Sequence, residues 1–195
     1  MTLLNRRPGV SRPGAFVFLA ASVALLGACQ THVAPSEDSP YYAMPVGSRL
    51  VLNRALTIPP DRASVYIQRG QIVAFTTLDD YDPHCRFELS SVRPRPQTVE
   101  PDEFVVHKVR QEIIVSRAFT RPGLLLALGG GDDDDGPDSK LYSRILDLRS
   151  AKQPEVLRIA CMRWHRLAFS RHLSIREIRD TLGALFTLEL VAPPG

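Results

Sequence analysis

Along most of this chain, apolar and polar residues alternate with a period of two, the mark of half-buried β-strands. Leu50, Leu52, Leu56 and Ile58 share one parity until Pro59-Pro60 ends the run. Val65 and Ile67 in ASVYIQ and the following run QIVAF flank Arg69-Gly70, which predicts a hairpin. Phe87 and Leu89 alternate with Arg86 and Glu88 in a strand that starts at Cys85, and Pro94 and Pro96 then break the chain. Phe104 and Val106 begin another strand toward Val109, and Glu112–Phe119 reads as a separate β-rich run. Strands are expected again over Leu141–Arg149 and Val156–Trp164, the latter with Leu157, Ile159 and Cys161 on the inward parity.

The period changes once. Ser174-x-x-Glu177 is a capping box, Ile175, Ile178 and Leu182 follow at helical spacing, and Gly183 is placed to stop the helix. Phe186, Leu188 and Leu190 then alternate in a last strand. The expected fold is mainly β, a sandwich or partly open, mostly antiparallel barrel, with one short helix near the C-terminus.

The N-terminal segment follows a different logic. Arg6, Arg7 and Arg12 precede the apolar stretch Ala15–Leu26, and no acid occurs before Glu37. That stretch suits a signal h-region and is short for a membrane span, which needs roughly 20 apolar residues. It ends in Leu25-Leu26-Gly27-Ala28-Cys29, which resembles the lipobox of bacterial lipoproteins. The resemblance implies cleavage of residues 1–28, diacylglyceryl and palmitate-type acylation at Cys29, and stable anchoring, because about 0.8 kcal/mol accrues per buried methylene. Gln30 is not the Asp that retains many such proteins in the inner membrane, so the periplasmic face of the outer membrane is the expected site. As a whole the chain resembles the small uncharacterised lipoproteins of Gram-negative bacteria. Asp82-Pro83-His84-Cys85-Arg86-Phe87-Glu88 and Val99-Glu100-Pro101-Asp102-Glu103-Phe104 are loosely reminiscent of their β-rich domains, a likeness that carries over no activity.

The lipobox reorders the rest. The 24 basic residues outnumber the 21 acids, but the surplus of three lies in Arg6, Arg7 and Arg12. The mature chain is formally neutral, so the basic pI is no sign of a nucleic-acid partner. Residues 29–47 read as lipidated Cys and flexible tether, and residues 48–192 as a single periplasmic domain. With Cys29 acylated, Cys85 and Cys161 form an even pair in an oxidising compartment, which favours a disulfide over a metal set of His84, Cys85, Cys161 and His165.

Candidate chemistry is sparse. Asp79-Asp80-Tyr81-Asp82-Pro83-His84 is the densest polar cluster, and Asp79, Asp82 and His84 are weak acid–base candidates; an exposed Asx turn is the simpler reading. Asp133 and Asp135 before Gly136 match part of a calcium loop, but Gly131 stands at the first ligand position and no Glu follows at the required spacing. The Gly/Asp-rich stretch within about 121–140 is therefore expected to be a mobile surface loop without metal. No cofactor motif occurs. Three functions are expected in order: a non-enzymatic binding or scaffolding domain with an envelope protein as partner, a carrier of an apolar ligand, and a hydrolase using the Asp79–His84 cluster.

Overall fold

Ten short strands and one helix carry the chain, described over residues 36–116, 139–166 and 171–192 of a computed structural model. The strands are β1 (Arg49–Leu52), β2 (Leu56–Ile58), β3 (Arg62–Gln68), β4 (Gln71–Val73), β5 (His84–Arg93), β6 (Gln97–Val99), β7 (Glu103–Ser116), β8 (Ser139–Arg149), β9 (Val156–Arg166) and β10 (Phe186–Glu189); the helix is α1 (Ile175–Leu182). Eight strands form one sheet in the order β10-β1-β7-β8-β9-β5-β3-β4, curled into a half-barrel, and β2 pairs with β6 in a separate ribbon. Every pairing is antiparallel. The mainly β class with one short C-terminal helix stands as expected.

The concave face is the core. Leu50, Leu52, Ile67, Phe87, Phe104, Val106, Leu146 and Ile159 are essentially unexposed there, and α1 adds Ile175, Ile178 and Leu182. Phe87 meets Phe104 edge-on at 6.1 Å and Phe186 at 5.3 Å, within the range where aromatic pairs attract. The capping box forms in full: Glu177 N donates to Ser174 Oγ at 3.2 Å and Ser174 N donates to Glu177 Oε2 at 2.8 Å. Cys85 and Cys161 are direct partners across β5 and β9, and their disulfide is buried in the core. It spans a sequence separation of 76, which in the chain-entropy account is worth about 4 kcal/mol.

Three expectations change. Phe104–Val109 and Glu112–Phe119 belong to one strand that runs unbroken over Glu103–Ser116; residues 117–119 lie outside the described part. Leu157 is 42% exposed and Val156 is buried instead. The register of β5 on β9 shifts between Glu88 and Leu89, and that irregularity moves Val156 to the inward parity. The expected tether is docked from Glu37 onward. Ile175 N donates to the Glu37 carbonyl at 3.0 Å, Arg179 pairs with Glu37 and Arg176 with Asp38, and Met44 is buried. Tyr41 stays 82% exposed while Tyr42 packs against the core.

Candidate functional site

The loop between β4 and β5 holds the acid–base candidates, and the fold sends them apart. Gln68 pins the loop from both sides: its Nε2 donates to the Asp79 carbonyl at 2.8 Å and its Oε1 accepts from Asp79 N at 3.2 Å. The exposed Asp79 carboxylate accepts from Tyr81 N at 3.0 Å, an Asx turn formed at Asp79, whereas the sequence pattern places one at Asp82-Pro83. Trp164 N donates to the Asp80 carbonyl at 2.9 Å, which ties the loop to the end of β9. Trp164 itself is half-buried and has the opposite parity to Cys161.

Asp82 turns to the β3–β4 turn, where its carboxylate lies 2.6 Å from Arg69 Nη2. It borders a shallow cleft of about 190 Å³ with Pro83, Glu177, Asp180 and Thr181. His84 faces the other way. It is 2% exposed, its Nδ1 donates to the Asp82 carbonyl at 3.1 Å, and its ring lies 6.5 Å from that of Tyr66. Burial lowers its pKa, and the carbonyl and nearby Asp79 and Asp80 offset this only in part. Asp82 and His84 thus meet through the backbone, the Asp82 carboxylate lying against Arg69 and the buried His84 ring near Tyr66.

The metal alternative at His84, Cys85, Cys161 and His165 fails on the sulfurs, which are joined to each other and offer no thiolate. Among the described residues no group of three or more His, Cys, Asp or Glu converges to hold a metal ion. Asp133 and Asp135, Cys29, and nearly all of the 121–140 loop lie outside the described residues. Apolar side chains of α1, β2 and β6 belong to the same buried core as those of the large sheet.

What the alternation pattern did not reveal is an open edge. β4 covers only Tyr66–Gln68 of β3, so Arg62–Val65 has no strand neighbour on that side among the described residues. A groove of about 520 Å³ follows this edge, lined by Arg62, Ser64, Tyr66, Ile72, Val73 and Phe75 among others. Tyr66 and Phe75 lie 5.5 Å apart between ring centres, and Phe75 and Ile72 are 66% and 46% exposed. Arg62 stands directly across from Arg93 on β5, two like charges in register with no ion pair for either among the described residues. Nothing in the sequence signals this edge: QIVAF reads as one run to Phe75, whereas β4 ends at Val73. The chain matches no protein-family model, no curated protein and no solved structure.

Proposed function

We propose that this chain is a lipid-anchored periplasmic lipoprotein with a non-enzymatic binding domain, which takes an extended segment of an envelope protein as an added strand along β3. The observation that carries the reading is the short β4. Tyr66 and Gln68 direct their backbone groups to β4, and with a strand period of two Ser64 directs its own to the uncovered side. An extended peptide satisfies such groups by β-augmentation. Tyr66 and Phe75 offer an aromatic seat for an apolar side chain, and the Arg62–Arg93 pair favours an acidic residue next to it. The N-terminal pattern Leu25-Leu26-Gly27-Ala28-Cys29 supports the anchor, and Gln30 supports the outer membrane.

The test is photocrosslinking in cells from a benzophenone amino acid placed at Ser64. The expected outcome is one discrete adduct with an envelope protein, reduced at least tenfold by Arg62→Glu while the chain remains folded. Cys29→Ser should abolish metabolic labelling of the chain with fatty acid. An adduct indifferent to Arg62→Glu rejects strand addition at this edge; undiminished lipid label on the Cys29→Ser chain rejects the lipid anchor alone.

A further inference from the structure

The concave face carries, beyond the apolar core, a group of cations that the fold leaves unneutralised. Arg144 on β8 stands directly across from Cys161, next to the disulfide. It is 1% exposed. One hydrogen bond holds it, from Nη2 to the Pro40 carbonyl at 3.1 Å, while Nε and Nη1 are buried without a partner. No carboxylate pairs with it among the described residues. A buried charge without a counter-ion is costly, and each buried donor without an acceptor adds to the cost.

The surroundings deepen the imbalance. His172 Nδ1 is a third buried atom without a partner in this group, and its ring meets Tyr142 edge-on at 5.2 Å. Tyr142 meets His165 at 5.7 Å, and Arg163 Nε donates to His165 Nε2 at 3.1 Å. Arg163 and Arg171 share the Glu177 carboxylate at 3.3 Å and 2.7 Å. Lys140 lies across from His165 in register. Arg163 and Arg171 thus share one carboxylate, while Arg144 and Lys140 have no ion pair among the described residues. The two imidazoles register the surplus: burial lowers both pKa values, and Arg163 lowers that of His165 further as Arg144 does that of His172. Arg163, His165, Arg171 and His172 are only partly buried.

We infer that this cluster is a phosphate-binding site, with Arg144 as its deepest donor and Arg163, His165 and His172 around it. A phosphate dianion matches the surplus charge and supplies acceptors for the guanidinium nitrogens that lack them. The phosphate can be free or part of a lipid headgroup; the chemistry at Arg144 is the same. This site is independent of the β3 edge, and neither reading rests on the other.

The test uses the full chain with Cys29→Ser, so that no acyl chain confers membrane affinity. Inorganic phosphate at about ten times its dissociation constant should raise the melting temperature by about 3 °C relative to chloride of equal ionic strength. Arg144→Met should abolish that rise while leaving a folded protein, since replacing a buried lone charge by an apolar side chain of similar size is commonly neutral or stabilising. His172→Gln, which keeps a polar side chain, serves as the second variant and should weaken phosphate binding several-fold. Vesicles of phosphatidylglycerol and of phosphatidylcholine separate the sources. Binding to both kinds alike through Arg144 assigns a phosphodiester headgroup, and a response to inorganic phosphate alone assigns the free ion. Equal shifts in phosphate and chloride, or a phosphate shift that survives Arg144→Met, overturns the inference.

Discussion

Gly183 ends the helix where no side chain fits. Its φ of +54° is in the left-handed region, and a Cβ built on it would lie 2.5 Å from the Gly70 Cα. Gly70, at φ +73°, donates its N–H to the Thr181 carbonyl at 2.9 Å, so the β3–β4 turn and the end of α1 touch backbone to backbone. Gly183→Ala is expected to destabilise the protein by about 2–3 kcal/mol, through both the clash and the disfavoured φ, as read from the shift in urea midpoint at unchanged slope. A loss below about 1 kcal/mol would show that the turn gives way. Each glycine was legible alone, one as a hairpin turn and one as a helix stop. Their contact was not, because alternation reports which way a residue faces and never what lies opposite. The same blindness covers Arg144, which occupies an inward position that the pattern reads as ordinary alternation in β8, and Leu157, whose parity a single register shift reverses.

At the scale of elements, one carboxylate adds to the apolar face of α1 in tying the helix to β9. Glu177 caps its own helix, accepts from Arg171 at 2.7 Å and 3.0 Å, and reaches Arg163 on β9 at 3.3 Å. Burial pushes its pKa up, but these partners outweigh burial and bring it from 4.5 down to about 2. A carboxyl depressed in the folded state contributes stability that is fully present above its unfolded pKa and lost as pH falls through the folded value. The contribution of Glu177 should therefore hold above about pH 4.5 and disappear between there and about pH 2. Glu177→Gln should cost on the order of 2 kcal/mol at neutral pH, and chemical denaturation at a series of pH values should show a shallower decline over that window than in the unmodified chain. An identical decline in both chains would place the acid sensitivity elsewhere. The helix and its capping box were readable because both are local in sequence, and so were most strands. The length of β4 was not, since where an edge strand stops depends on the ribbon beside it, and that length is what opens β3.

The domain boundary is a property of the whole molecule, and it lies earlier than the change of sequence pattern at Ser48. Polar, proline-containing composition made residues 31–47 look solvated, yet three arginines from α1 and β8 hold Glu37, Asp38 and Pro40, and Met44 is 5% exposed. Composition reports whether a segment can build a core of its own; it says nothing of docking on a core built elsewhere. A chain beginning at Ser48 loses the burial of Met44, about 2 kcal/mol, together with the carbonyl acceptors of Ile175 N and Arg144, about 1 kcal/mol each. Relative to a chain beginning at Ser36, it should unfold at lower denaturant by an amount equivalent to about 4 kcal/mol. Losing the Pro40 carbonyl strips Arg144 of its last hydrogen bond, so part of that deficit should be recovered by Arg144→Met in the shorter chain and not in the longer one. Equal stability of the two chains would return residues 36–47 to the role of a passive tether.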